Sequence, residues 1–166
     1  ILINHQSMLD IIVMEHLHSR NIAWVAKKEI TDLFFFGHII KAPRMISIDR
    51  ENKAGLIHLL SEAKDRLSKG RPIAMFPEGT RSDGTYIGEF KAGAKMLGNK
   101  FNLKVQPVVM FNTRNIVNSQ KMEAAPGVVK VIYLEPIVAS KDTSWYEDCE
   151  KNMKEVFEKE YKNYVS

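Results

Sequence analysis

The sequence of 166 residues contains one cysteine, Cys149, which excludes an intrachain disulfide and is typical of a reducing compartment. It has no apolar run near the roughly 20 residues that a helix needs to cross a bilayer. It also lacks a glycine-rich nucleotide-binding loop, a Gly-x-Ser-x-Gly nucleophile elbow and a basic stripe interleaved with aromatic residues. These absences argue against a P-loop, a serine nucleophile of the elbow type and a nucleic-acid partner.

The composition is that of a globular chain. Hydrophobic residues make up 45% of it, enough for a packed core, and the length predicts one domain over residues 1–166. The net charge of +4 favours anionic surfaces or substrates. The chain starts without methionine, inside the strand-like run Ile1-Leu2-Ile3, so we expect further residues upstream.

Apolar runs alternate with helical patterns along the chain. The strand candidates are 1–3, 22–26, 45–48, 72–76, 105–111 and 128–134, and the helix candidates are 7–19, 53–69, 92–100 and 144–164. This alternation predicts an α/β fold with a mainly parallel central sheet flanked by helices. Ligand sites in such sheets form at the carboxyl ends of strands, and His5, Arg50 and Glu78 each follow a strand candidate.

The first motif, Asn4-His5-Gln6-Ser7-Met8-Leu9-Asp10, places a histidine five residues before an aspartate. On one helix this separation turns the two side chains roughly 140° apart, so His5 meets Asp10 only from the turn before the helix. There Asp10 would orient the imidazole and stabilise its protonated form, and His5 would act as a general base. The residues also fit a capping box, with Ser7 as N-cap. This segment alone leaves both interpretations open.

The second motif, Phe76-Pro77-Glu78-Gly79-Thr80-Arg81-Ser82, follows the apolar run Ile73-Ala74-Met75. A turn with an exposed arginine would explain it without any function. Together with the Asn-His-x-x-x-x-Asp motif upstream, however, it makes the chain resemble the glycerolipid acyltransferase family, which is marked by both motifs in this order. Two weaker blocks of that family are similar to Ile46-Ser47-Ile48-Asp49-Arg50 and Val105-Gln106-Pro107-Val108-Val109.

The resemblance implies an O-acyltransferase that moves a fatty acyl group from an acyl thioester to the sn-2 hydroxyl of 1-acyl-glycerol-3-phosphate (lysophosphatidate), giving phosphatidate. The donor would be acyl-CoA or acyl carrier protein, with CoA entering as part of a substrate. His5 would deprotonate the hydroxyl, and Asp10 would hold the imidazole. Acyl transfer to glycerol 3-phosphate or another lysolipid, thioester hydrolysis and a catalytically silent lipid-binding module remain as alternatives.

The resemblance also implies a substrate-binding set, which consists of Arg50, Glu78, Gly79, Thr80, Arg81 and Lys91. Arg81 and Arg50 would bind phosphate, because guanidinium forms paired hydrogen bonds to phosphate oxygens. Glu78 would orient Arg81 or accept from a substrate hydroxyl, and Gly79 would let the backbone come close to the substrate. For Lys91 the competing interpretation is a solvated surface cation.

Neither a metal nor a cofactor is expected. His16 and His18 are two residues apart on a predicted helix and point to different sides, and His38 and His58 stand alone. Cys149 lies in an amphipathic helical pattern far from both motifs, which predicts a packing residue instead of a nucleophile.

Residues 28–43 are apolar on every side around Leu33-Phe34-Phe35-Phe36 and carry lysines near both ends. One interpretation is a buried element of the core. The other is an interfacial segment, whose aromatic residues enter the headgroup region while the lysines meet anionic lipid. A membrane-soluble substrate favours the second. The resemblance accordingly predicts a membrane-associated protein on the cytoplasmic face, with an anionic lipid surface as a partner.

Overall fold

The computed structural model describes residues 1–27, 45–48 and 53–165. The strands are β1 (Leu2–Ile3), β2 (Ala23–Lys27), β3 (Ile46–Ile48), β4 (Ile73–Ala74), β5 (Lys104–Val105), β6 (Pro107–Phe111), β7 (Val117–Asn118), β8 (Glu123–Ala124), β9 (Lys130–Tyr133) and β10 (Ile137–Val138). The helices are α1 (Leu9–Leu17), α2 (Lys53–Ser68), α3 (Ala92–Phe101), α4 (Thr113–Ile116) and α5 (Trp145–Val165). Contacts divide the chain into two compact units: Ile1–Met14 with Phe76–Ser166, and Glu15–Met75.

The unit Glu15–Met75 is built on three parallel strands in the order β3-β2-β4. Strand β2 is buried along Ala23, Trp24 and Val25, as expected for a central strand that is covered on both faces. Helix α2 packs against β3. It ends at Ser68, and Gly70 then adopts a left-handed conformation with φ of 68°, which favours glycine after a helix.

The other unit contains the sheet β1-β6-β9, in which β1 is parallel and β9 antiparallel to β6. Every residue of β6 is buried, and Pro107 occupies its first position, where a missing backbone N–H is tolerated. Helix α5 packs against β6, where the rings of Phe157 and Phe111 stack with centroids 4.8 Å apart. The helix therefore supports the strand whose carboxyl end reaches the site described below.

The predicted α/β class is confirmed, and the four predicted helices are present with each end within two residues of the prediction. The single, mainly parallel sheet is not reproduced. Instead, the strands of the described residues form four small sheets, with three parallel and three antiparallel pairs. One cause is that the predicted strand 105–111 divides before Pro107, and its first part, β5, pairs antiparallel with β10.

Two predictions concern residues that the structure does not describe. Arg50 and the segment 28–43 lie outside the described residues. Among the helices that are described, none is both long enough and apolar enough to cross a membrane.

Candidate active site

His5 lies in the turn between β1 and α1, as the spacing predicts, and its imidazole faces Asp10. The distance from His5 Nδ1 to Asp10 Oδ2 is 2.8 Å. The Asp10 side chain is fully buried, whereas that of His5 is 17% exposed. Because Nδ1 faces a carboxylate it carries a proton, so Nε2 keeps the lone pair that a general base needs.

The same Asp10 carboxylate starts helix α1. Its Oδ2 atom accepts the backbone N–H of Gln6 at 2.7 Å and that of Ser7 at 2.9 Å. Ser7 Oγ in turn accepts the backbone N–H of Leu9 at 3.2 Å, one residue earlier than in a standard capping box, so the Asp10 half of the predicted box is present and Ser7 caps the helix start. One carboxylate therefore has the geometry for both interpretations, the helix start and the orientation of His5.

Asp10 has a further partner that sequence reasoning missed. Thr113, which is fully buried, donates its hydroxyl to Asp10 Oδ1 at 2.5 Å. Thr113 follows the carboxyl end of β6, and β6 is the parallel neighbour of β1, so both strands end at the same edge. Asn4 joins these ends, since its side-chain amide pairs with the backbone N–H and carbonyl of Met110 at 2.7 and 2.9 Å. The position after a buried strand was the only sequence signal for Thr113.

Glu78 binds backbone groups on both sides. Its Oε1 atom accepts the N–H of His5 at 2.7 Å, and Oε2 accepts the N–H of Gly88 at 2.6 Å. Burial raises the pKa of Glu78 above its ordinary value, although these two hydrogen bonds oppose the shift. The predicted contact with Arg81 is not among the described contacts, in which the Arg81 guanidinium instead donates to Ser119 Oγ at 2.6 Å. Glu78 thus fixes its loop to the backbone of His5.

A cleft of about 210 Å³ opens beside Glu78. It is lined by Glu78, Thr80, Arg81, Ser82, Tyr86, Gly88, Glu89 and Lys91. The cleft therefore brings together four of the predicted substrate-binding residues, two of which are cations. Gly79 has a φ of 74°, a left-handed conformation that favours glycine, and the close approach of its backbone to a substrate stays a prediction. Lys91 is 63% exposed, so its assignment as a binding residue or a surface cation stays open.

The loop that carries Arg81 is tied to two other parts of this unit. The backbone N–H of Ser82 donates to the carbonyl of His5 at 2.8 Å. Arg114 donates to the carbonyl of Ser82 at 3.1 Å and to Gln120 Oε1 at 2.8 Å. Ser119, Arg114 and Gln120 all come from the segment around β7, which sequence reasoning did not assign to the site. These contacts hold the two motifs together.

Cys149 is buried and its Sγ atom lies 4.0 Å from Met153 Sδ, which confirms that it packs in the core. Burial raises the pKa of its thiol to about 11, so the nucleophilic thiolate is scarce at neutral pH. Within the described parts of the chain, no group of three or more His, Cys, Asp or Glu side chains has the arrangement to hold a metal ion.

A family model described as Acyltransferase matches residues 1–111, a range that includes both motifs. The chain belongs to the acyltransferase family. The resemblance inferred from the two motifs is thereby confirmed.

Curated acyltransferases and a solved structure are similar to this chain. The 1-acyl-sn-glycerol-3-phosphate acyltransferase of Helicobacter pylori (strain J99) is 42% identical over 166 residues, or 97% of this chain and 69% of the relative. The protein of the same name from Salmonella typhimurium is 32% identical over 83% of this chain and 56% of its own length. The crystal structure of the 1-acyl-sn-glycerophosphate (LPA) acyltransferase from Thermotoga maritima matches with a TM-score of 0.75 and 27% identity, over 99% of this chain and 65% of that one. This acyltransferase chain therefore spans only part of each relative's length.

Proposed function

We propose that this acyltransferase moves a fatty acyl group from an acyl thioester to the sn-2 hydroxyl of 1-acyl-glycerol-3-phosphate, giving phosphatidate. The observation that carries the proposal is the 2.8 Å contact between His5 Nδ1 and Asp10 Oδ2. Relatives named 1-acyl-sn-glycerol-3-phosphate acyltransferases supply the acceptor and the product.

The chemistry follows from the free ring nitrogen of His5. As the acceptor hydroxyl attacks the thioester carbonyl carbon, its proton passes to Nε2, and the buried Asp10 carboxylate stabilises the resulting imidazolium. The new C–O bond forms and the C–S bond breaks. The departing thiolate then takes the proton from the imidazolium, which restores neutral His5. No covalent acyl-enzyme is needed.

The cleft supplies the charge that the acceptor requires. Arg81 would bind the phosphate, because a guanidinium matches a phosphate group and Ser119 holds it by one nitrogen only. Thr80 and Lys91 line the same cleft, where they add a hydroxyl and a second cation. Arg50 is proposed as a further phosphate ligand from its motif alone.

The proposal includes a membrane partner. The acceptor is a lipid, the net charge is +4, and the apolar segment 28–43 carries lysines near both ends. We infer that the protein binds anionic membrane on the cytoplasmic face through this segment. Sedimentation with anionic and neutral vesicles tests the inference: replacement of Phe34 and Phe35 with serine should reduce binding to anionic vesicles, and unchanged sedimentation would overturn it.

Product analysis tests the reaction itself. The protein is incubated with labelled acyl-CoA or acyl carrier protein, with lysophosphatidate, glycerol 3-phosphate or no acceptor. Wild-type protein should form labelled phosphatidate only with lysophosphatidate. The His5→Ala variant should lose about 10²–10⁴ of the rate while remaining folded, because the hydroxyl has lost its base.

A matched control is His16→Ala, which removes an exposed imidazole from helix α1 and should leave the rate unchanged. If His5→Ala keeps more than about a tenth of the rate, the general-base assignment is wrong. Release of free fatty acid without phosphatidate would indicate the hydrolase alternative. A labelled product from glycerol 3-phosphate would identify that molecule as the acceptor instead of lysophosphatidate.

A further inference from the structure

Thr113 contacts the side of the Asp10 carboxylate that His5 leaves free. Asp10 Oδ2 is occupied by His5 Nδ1 and by two backbone N–H groups, while Oδ1 accepts the Thr113 hydroxyl at 2.5 Å. Thr113 Oγ1 also lies 3.2 Å from Gln6 Oε1. A hydroxyl has a single proton, and the shorter contact is with the charged oxygen, so the proton is donated to Asp10.

This contact adds a second restraint, at Oδ1, to a rotation that the three hydrogen bonds to Oδ2 already oppose. A carboxylate can turn about its Cβ–Cγ bond, and this torsion has broad minima. Turning would carry Oδ2 away from the line to His5 Nδ1. With Oδ1 held by a fully buried hydroxyl, the plane of the carboxylate is set at both oxygens.

The backbone that carries Thr113 is itself fixed to the backbone that carries His5. Strand β6 pairs in parallel with β1, and Asn4 binds both backbone groups of Met110. Asn112 then adopts a left-handed conformation with φ of 71°, after which α4 begins at Thr113. The hydroxyl is therefore held in a fixed place relative to the turn of His5.

We propose that Thr113 is a positioning residue of this acyltransferase, which aligns the Asp10 carboxylate so that Asp10 can orient His5 and stabilise its protonated form. The proposal rests on the proposed function, since it assumes that His5 is the base. Thr113 touches neither substrate nor reacting atoms in this scheme. It acts on the rate through Asp10 alone.

Steady-state kinetics of Thr113→Val and Thr113→Ser test the proposal. Valine keeps the shape but removes the hydroxyl, so kcat should fall about 10-fold to 100-fold while the KM for lysophosphatidate stays within about twofold. Serine restores the hydroxyl and should return kcat to within a few-fold of wild type. A folded valine variant with unchanged kcat, or one in which only KM changes, would overturn the proposal.

A double-mutant cycle with Asp10→Asn shows whether Thr113 acts through Asp10. In the Asp10→Asn background the further loss caused by Thr113→Val should be much smaller than in wild type, and an equal loss in both backgrounds would refute the proposal. Asn99→Ala, which removes the acceptor of the Trp145 indole N–H away from the site, is the control for stability loss and should leave kcat unchanged.

A substitute variant and a common reference protein complete the test. If the valine variant does not fold, Thr113→Cys takes its place, because a thiol of similar size is only a weak donor, and the same loss of kcat is required. Each comparison is made with wild-type protein whose activity depends on His5. Activity that survives His5→Ala would overturn the proposed function, whereas retained kcat in the Thr113 variants would overturn only this inference.

Discussion

The imidazole of His5 stacks on the phenyl ring of Phe76, with ring centroids 3.7 Å apart and planes inclined by 10°. The two residues belong to different motifs, 71 positions apart in the numbering. Phe76, the first residue of the second motif, thus packs against one face of the His5 imidazole, while the Asp10 carboxylate binds Nδ1 at the edge of that ring.

Phe76→Leu should lower kcat by up to about 10-fold, because a stacked aromatic pair contributes roughly 0.5–1.5 kcal/mol beyond its buried area. Leucine keeps apolar bulk against the imidazole but lets the ring tilt. Phe76→Tyr preserves the stacking and serves as the matched variant, with kcat close to wild type. Equal kcat values for the leucine and tyrosine variants would mean that the stacking does not orient His5.

Asp10→Asn should lower kcat by about 10²-fold or more, because an amide stabilises an imidazolium far less than a carboxylate does. The amide oxygen still accepts the backbone N–H groups of Gln6 and Ser7, so the helix start is largely kept. Rates per folded molecule and melting temperatures are measured together. Ser7→Ala provides the opposite case, since it should lower the melting temperature through the lost cap while kcat changes little.

If Asp10→Asn instead loses stability with an unchanged rate per folded molecule, the residue is only a helix-start residue. The two variants therefore separate the two interpretations that the sequence left open.

Arg81→Ala should raise the KM for lysophosphatidate about 10-fold to 150-fold, since a hydrogen bond to a charged group contributes about 1.5–3 kcal/mol. Ser119→Ala removes the partner of the guanidinium and should raise KM by a smaller factor, leaving kcat unchanged. Lys91→Ala is the matched cation in the same cleft, and an unchanged KM would identify Lys91 as a surface cation. Unaltered kinetics in Arg81→Ala would leave Arg50 as the principal phosphate candidate.

Glu78→Gln should change how stability depends on pH. Since the pKa of Glu78 is raised above its ordinary value of 4.5, the folded protein holds this proton more tightly than the unfolded chain. The resulting stabilisation is fully present below pH 4.5 and is lost as the pH rises through the raised pKa. Glutamine at position 78 does not titrate, so the variant should not show this part of the fall in unfolding free energy as the pH rises.

Below the raised pKa the protonated carboxyl and glutamine each offer one carbonyl oxygen to the two N–H groups of His5 and Gly88, so wild type and variant should have similar free energies of unfolding there. Denaturant unfolding from about pH 4 to about pH 7 measures both free energies. Glu89→Gln, an exposed carboxyl in the same cleft, is the control. If the unfolding free energies of wild type and Glu78→Gln changed with pH in parallel, the prediction would be wrong.

The sequence predicted elements that depend on local patterns. Amphipathic spacing located the main helices, and the capping box placed the start of α1, because both signals lie within a few neighbouring residues. The contact of His5 with Asp10 followed from a separation of five residues, which is also local. The family motifs then predicted that Glu78 and Arg81 belong to the site.

The contacts that the sequence did not predict join residues far apart in the chain. Thr113 lies 103 positions from Asp10, and Ser119 lies 38 positions from Arg81. Neither contact leaves a periodic signal, because each depends on the pairing of β1 with β6 or on a short polar hairpin. The backbone partners of Glu78 were not predicted for the same reason: backbone N–H groups are present at every position except proline, so no motif marks them as donors. The expected roles of Glu78, the orientation of Arg81 or a contact with a substrate hydroxyl, stay predictions.

The main chain of His5 is used at both polar atoms, with its N–H bound to Glu78 and its carbonyl bound by Ser82. The loops of the two motifs are therefore joined without any contribution from the imidazole. Removal of that side chain should yield an inactive protein in which the cleft is still assembled. Crystals of such a protein, soaked with acyl donor and acceptor together, should show both substrates bound before reaction.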